Sequence, residues 1–379
     1  MTDSTHSHSS PSSAGDIDLQ LYRWPAEWET HSCTWLAWPR NPNTWPGIFE
    51  RIPPAYARFV AAVARFEPVR LLVRPVLLDT ARRLVDEACT AAAAVHPVEF
   101  ISLPYNDSWI RDYGPIFLNR VSAESVTDAA AGGDSDNVRE LPQQLAIDWD
   151  YNAWGGKYPP WEADAAAASQ IAELSKVLAI RPGIVLEGGA IEGNGRGTIL
   201  TTENCLLNPN RNGAVQRSIV EQWLQKFLNA SRVVWLPGHG IVGDDTDGHI
   251  DQVARFVDDH RVLVAAPFSE DADEAAALRA NRAAVEAAKN QDGTALQVLP
   301  LPMPMPMFEQ DHRLPACYCN YYLCNGGVIV PTFNDAADES AMSLLQSCYP
   351  EREVVGVAAG ELIWGLGAFH CMSQQQPAV

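Results

Sequence analysis

Residues 54–104 read "PAYARFVAAVARFEPVRLLVRPVLLDTARRLVDEACTAAAAVHPVEFISLP", and this stretch sets the fold class. Residues 54–66 and 79–95 are alanine-rich, with apolar positions at helical spacing. Between and after them, "VRLLVRP" (69–75) and "VEFISLP" (98–104) are short aliphatic runs closed by proline, which read as strands. The same alternation continues outward. Helices are expected at 162–178, 214–229 and 272–290. Strands are expected at 183–187, 197–201, 204–208, 232–236, 261–266, 296–301 and 327–331. "PMPMPMF" (302–308) reads as an extended connector, and the Trp- and Pro-dense segment from about 20 to 46 as turns and packed irregular chain. Strands alternating with helices, without a strict repeat, predict an α/β or α+β architecture.

The chain has 379 residues, enough for two or three domains by length, yet no break reads as a hinge. The expected organisation is a leader at 1–16 with the polar bias of a disordered tail, then one domain over 17–379. A Gly/Ser/Asp-rich insertion loop interrupts that domain near 121–141. Hydrophobic residues make up 47% of the chain and its formal net charge is −20. Such a surface repels nucleic acid and anionic membranes, and no apolar run approaches membrane-spanning length. Eight scattered cysteines and no apolar secretory region predict a soluble protein with free thiols in a reducing compartment, the cytoplasm.

Five segments carry chemistry. "WIRDYGP" (109–115) places Arg111 and Asp112 before a Gly-Pro turn, where a structural ion pair is as good a reading as a functional one. "PGHGIVGDDTDGHIDQVARF" (237–256) brings Asp244, Asp245, Asp247, His249 and Asp251 together. An extended 247–251 would put Asp247, His249 and Asp251 on one face, suited either to a divalent metal or to acid/base work beside a cation. "VLEGGAIEGNGRGTILTTENCLLNPNRN" (185–212) has neither a dinucleotide fingerprint nor a phosphate loop. Its Asn194-Gly195 reads as a hairpin turn, and Gly188-Gly189 would let Glu187 sit where backbones approach closely. "PACYCNYYLCNGGVIVPTF" (315–333) holds Cys317, Cys319 and Cys324 at a spacing that lacks a fourth zinc ligand, so these read as buried structural cysteines. The end, "GLGAFHCMSQQQPAV" (365–379), is apolar and glycine-bearing up to Cys371. A cysteine there with a distant histidine fits nucleophilic catalysis, which leaves a thiol protease open. Neighbouring carboxylates favour a cationic substrate: they raise the thiol pKa in the empty site, and a bound cation reverses that.

Taken in order, seven segments resemble the agmatine deiminase family of the guanidino-group-modifying superfamily. They are "PAEWETHSCTWLAWPRNPNTWPG", "WIRDYGP", "YNAWGGKYPPW", "EGGAIEGNGRGTILTTENCLLNPNRN", "GDDTDGHIDQVARF", "CNYYLCNGGVIVPTF" and "FHCMSQQQP", spanning about 25 to 377. The resemblance implies a pseudo-fivefold α/β propeller of ββαβ-type units. It implies Cys371 as nucleophile, His249 as general acid/base, and Asp112 and Asp251 as the carboxylates that bind guanidinium nitrogens. Trp109 and Asp245 would line the substrate pocket, and Glu187 would serve positioning. The implied reaction is deimination of agmatine, or of peptidyl-arginine, with no metal or cofactor. The implied partner is a small cationic guanidino compound, and a homo-oligomer is allowed. The family tail is typically richer in glycine before the His-Cys pair than Leu366, Ala368 and Phe369 here. Two other classes stay open: a metal-dependent hydrolase on Asp247, His249 and Asp251, and a polyamine-binding protein without turnover.

Overall fold

The computed structural model describes residues 17–121, 141–269 and 274–379. The expected leader at 1–16 and nearly all of the expected insertion loop lie outside the described residues.

Five sheets of three or four strands share one pattern, an antiparallel pair extended by a parallel strand. Gln144–Ile147 pairs antiparallel with Ile116–Arg120 and parallel with Leu178–Ile180. Thr198–Thr202 does the same between Ile191–Gly193 and Arg232–Leu236. Arg261–Ala266 does so between Ala254–Phe256 and Gln297–Pro302, and Gly327–Thr332 between Tyr322–Cys324 and Glu353–Ala358. In the fifth sheet the two chain ends meet. His31–Ala37 pairs antiparallel with the C-terminal Ser373–Pro377 and parallel with Val69–Leu72, which carries Val98–Ile101. Each parallel step needs a crossover, supplied by helices such as Arg217–Leu228, Ala275–Glu286 and Ala337–Cys348.

The opening stretch shows how packing places the tail. Helix Ile52–Ala64 starts with prolines in its first turn, where the missing N–H costs nothing. Its buried Ile52, Ala55, Tyr56, Phe59, Val60 and Val63 recur at 3.6-residue spacing. Phe59 stacks on Phe369 with ring centroids 4.4 Å apart, which fixes the residue two before Cys371. Burying one such ring contributes about 2–3 kcal/mol. The tail was expected to pack only up to the cysteine, but it stays buried to Pro377. Three glutamines make this possible by bonding inward: Gln374 to the Pro115 carbonyl, Gln375 to Arg111, and Gln376 to Trp35 and Gln144.

Several local expectations are corrected. Residues 183–187 form only an isolated bridge at Val185. Residues Glu203–Leu206 are a helical turn because the Thr202 hydroxyl caps the Cys205 N–H, and the short apolar run 205–207 cannot tell strand from helix. The helix expected over 162–178 stops at Leu174, Lys176 turns left-handed at φ 57°, and Leu178–Ile180 is a strand. His31–Ala37, expected as irregular chain, is a central strand of the fifth sheet. No helix among the described residues is long and apolar enough to cross a membrane.

Candidate active site

A cavity of about 700 Å³ is lined by Cys371 and Asp112, by the aromatic side chains of Trp109, Tyr151, Trp154 and Trp364, and by Asp245. Cys371 follows a segment whose glycines permit contact with indoles. A carbon added to Gly367 would lie 2.5 Å from the Trp109 ring, and one on Gly365 2.7 Å from Trp45. Between them Leu366 adopts φ 74°, so the backbone keeps a left-handed turn that glycine usually makes.

Asp112 sits on the short helix Ile110–Tyr113. Its Oδ2 accepts from Trp154 Nε1 at 3.0 Å and its Oδ1 from the Gly189 N–H at 3.0 Å. Trp154 is aimed inward by an unusual run: residues 153 to 156 all have positive φ. Asp251 is the second residue of the helical turn Ile250–Val253, which His249 precedes. Its Oδ2 accepts from the Cys371 thiol at 3.4 Å and contacts His370 Nδ1 at 2.8 Å, while buried Oδ1 has no partner. His249 is fully buried, with Nδ1 3.6 Å from Asp112 Oδ1, and neither ring nitrogen has a hydrogen-bond partner.

Gly189 shows how tightly these groups converge. A carbon built on it would lie 2.6 Å from His249 Nδ1, 2.7 Å from Asp112 Oδ1 and 3.2 Å from Asp251 Oδ2. One point thus touches all three groups, and only glycine fits there.

Glu187, just before that turn, pairs with Arg211 at 2.7 Å and leaves Oε2 unpartnered. Its carboxylate, with Cys205 and His249, forms the only group of potential metal ligands among the described residues, all ligand atoms within 4.8 Å of one another. The trio Asp247, His249 and Asp251 is not such a group. Asp247 has φ 67° rather than an extended backbone, and its carboxylate turns to Asn210, Arg211 and Lys157. Asp245 is likewise engaged, by Lys157 at 3.0 Å and by the Tyr158 hydroxyl. Cys371, Asp112, Trp109 and Asp245 therefore line the cavity, and His249, Asp251 and Glu187 are fully buried and not among its lining residues.

The electrostatics follow from burial plus neighbours. Burial, then the charges of Asp251 and Glu187, push Asp112 up to about 6, against the pull of His249. Burial disfavours a charged His249, yet Asp112, Cys205 and Glu187 outweigh it and raise its pKa to about 10. For Asp251 burial is outweighed by His370, His249 and Arg255, and its pKa is lowered. Burial, then Asp251 and Asp112, hold the Cys371 thiol well above its usual range, with the Asn320 hydrogen bond acting the other way. The empty site is thus a neutral thiol beside an imidazolium and carboxylates, poised for a cation.

Sequence reasoning missed Asn320, Trp154 and His370. Asn320 Nδ2 donates to Cys371 Sγ at 3.1 Å. Its orientation is fixed because Oδ1 accepts the Ala368 and Cys371 N–H groups at 3.1 and 3.2 Å. No spacing rule marks such an asparagine, whereas the Gly-Gly after Trp154 is a signal that could have marked the special backbone there.

The chain is similar to known proteins over nearly its full length. The Porphyromonas-type peptidyl-arginine deiminase family model matches residues 23–377. The chain belongs to that family. It is 34% identical to the agmatine deiminase of Pseudomonas aeruginosa (strain LESB58), over 94% of this chain and 96% of that one. It is 35% identical to the agmatine deiminase of Stutzerimonas stutzeri (strain A1501) over the same shares. The solved agmatine deiminase of Enterococcus faecalis superposes with a TM-score of 0.81 at 28% identity, covering 95% of this chain and 97% of that one. The mixed α/β fold is common to this chain and that structure.

Proposed function

We infer that this chain is an agmatine deiminase, hydrolysing agmatine to N-carbamoylputrescine and ammonia. The observation that carries the reading is a thiol lining a cavity it shares with Asp112, with a second carboxylate, Asp251, 3.4 Å from its sulfur, in a chain one-third identical to agmatine deiminases.

A guanidinium is planar, cationic and resonance-stabilised, so its carbon is a poor electrophile. Asp112 and Asp251 take its nitrogens, fix the plane and localise the charge. The arriving cation offsets the field that keeps Cys371 protonated, and the thiol releases its proton to solvent to become thiolate. Sulfur attacks the guanidino carbon and an S–C bond forms. The tetrahedral adduct collapses as His249, already charged, gives its proton to the departing nitrogen, and ammonia leaves. A thiouronium remains on Cys371. His249, now neutral, takes a proton from water, whose oxygen bonds to the same carbon. The S–C bond then breaks as the hydroxyl proton of the adduct passes to sulfur, which releases the ureido product and restores the Cys371 thiol. Glu187, anchored by Arg211, positions His249, while Trp109 and Asp245 line the path of the substrate chain. No step calls for a metal or cofactor.

The same reading takes the five repeated sheet units as blades of a pseudo-fivefold α/β propeller, with 17–379 as one catalytic domain, no nucleic-acid partner, a cytoplasmic setting and room for a homo-oligomer. The family description favours a second reading, peptidyl-arginine as substrate. An ammonia-release screen of agmatine, free arginine and a blocked arginine peptide separates the two. Release from agmatine supports the first reading, and release from the peptide alone replaces it with the second.

A further inference from the structure

The mechanism above leaves a buried chain of charges behind Asp251 without a task. His370 Nδ1 lies 2.8 Å from Asp251 Oδ2, and its Nε2 lies 2.7 Å from Glu27 Oε2. His370 is 2% exposed. A neutral imidazole has one N–H and one lone pair. Set between two carboxylates, its bare nitrogen would face oxygen lone pairs at one end. Donation at both ends requires the imidazolium.

The remaining charges fit that assignment. Glu27 pairs with Arg255 at 2.9 Å and lies 3.7 Å from Arg111. Arg255 continues to Glu192 at 3.1 Å, and Arg111 Nε donates to the His370 carbonyl at 3.2 Å. His249, Asp112 and the thiols of Cys371, Cys319 and Cys317 are the other titratable groups that feel Asp251. Burial works against the Glu27 carboxylate, yet Arg255, His370 and Arg111 hold its pKa well below the usual range. With Oδ2 occupied by His370, the oxygen that Asp251 keeps free is the buried, unpartnered Oδ1.

We propose that His370, clamped as an imidazolium between Glu27 and Asp251, is a positioning residue that reserves Asp251 Oδ1 for the guanidinium and weakens the negative field of Oδ2 on the Cys371 sulfur. It acts through Asp251 and does not itself touch substrate. The proposal rests on reading Cys371 as the nucleophile, and it gives the N-terminal "PAEWETH" segment a reason to reach the site through Glu27.

The test is iodoacetamide alkylation of Cys371 without substrate, followed across neutral to alkaline pH by peptide mass spectrometry, beside kcat/KM profiles with agmatine. In folded His370→Gln the alkylation midpoint rises by about one pH unit, so labelling at fixed pH slows about tenfold, and kcat falls. In Glu27→Gln the imidazolium loses one of its two carboxylates. Its hold on Asp251 Oδ2 loosens, so the Cys371 alkylation midpoint rises and kcat/KM falls, each by less than in His370→Gln. A folded His370→Gln protein whose alkylation profile overlays the wild type overturns the proposal. Should that variant not fold, unmoved alkylation and activity profiles in Glu27→Gln overturn it. If the wild-type protein leaves agmatine untouched, the functional reading falls, while the substrate-free alkylation still decides the role of His370.

Discussion

Cys371 and the cysteines of the 317–324 segment occupy two regions that look alike by the usual criteria. All are free and buried, and burial raises the thiol pKa of Cys317, Cys319 and Cys324 as it does that of Cys371. The difference lies in what each sulfur meets. Cys371 lines the cavity, receives an N–H from Asn320 and faces Asp251. Cys319 donates to the Val253 carbonyl at 3.6 Å and, like Cys317 and Cys324, lines no part of that cavity. A buried thiol is therefore inert or reactive according to whether a cation can reach it and whether a donor awaits its anion. Asn320 belongs to the inert region by sequence and to the reactive one by contact.

The sharpest way to break this contrast is exchange of sulfur for oxygen. Cys371→Ser lowers kcat/KM for agmatine by about 10⁴-fold or more, measured as ammonia release, while Cys319→Ser keeps the wild-type rate. Equal losses would erase the distinction between the regions. Asp112→Asn and Asp251→Asn each cost about 10³-fold, because the neutral amide no longer anchors the cation that activates the thiol. Asn320→Ala costs about 10- to 100-fold and slows alkylation of Cys371.

The pH profile sharpens the contrast further. Asp112 is ionised above its pKa of about 6 and takes a proton below it, losing its hold on the guanidinium. Because kcat/KM reports groups of the free enzyme, it therefore falls about tenfold per unit as pH drops below about 6, and Asp112→Asn removes that limb from its residual activity. The smallest effect belongs to the sealed thiols. Cys324→Ala lowers unfolding free energy by about 1–2 kcal/mol in denaturant titration, with kcat unchanged.

Much of this arrangement was legible in the sequence. The helix–strand alternation of 54–104 reappears as Ile52–Ala64, Val69–Leu72, Leu78–Ala91 and Val98–Ile101, because long periodic segments carry their own signal. The residues named from motifs, Cys371, His249, Asp112, Asp251 and Glu187, come from four separate segments that the fold gathers around Gly189. What escaped depends on distant contacts. The strand Ser373–Pro377 reads as a polar tail because its glutamines are paid off only by Pro115, Arg111, Trp35 and Gln144, far away in the chain. Asp247 looked equivalent to Asp251 until a left-handed turn sent it to Arg211 and Lys157. The role of Asn320 rests on two N–H groups about fifty positions downstream, which no local pattern encodes.

The most direct test is to quench turnover of agmatine in acid and map every cysteine by mass spectrometry. The account predicts a transient adduct on Cys371, with the mass of agmatine less ammonia, and unmodified thiols at Cys317, Cys319 and Cys324. Turnover with Cys371 unmodified at all quench times, or an adduct confined to another cysteine, would contradict it.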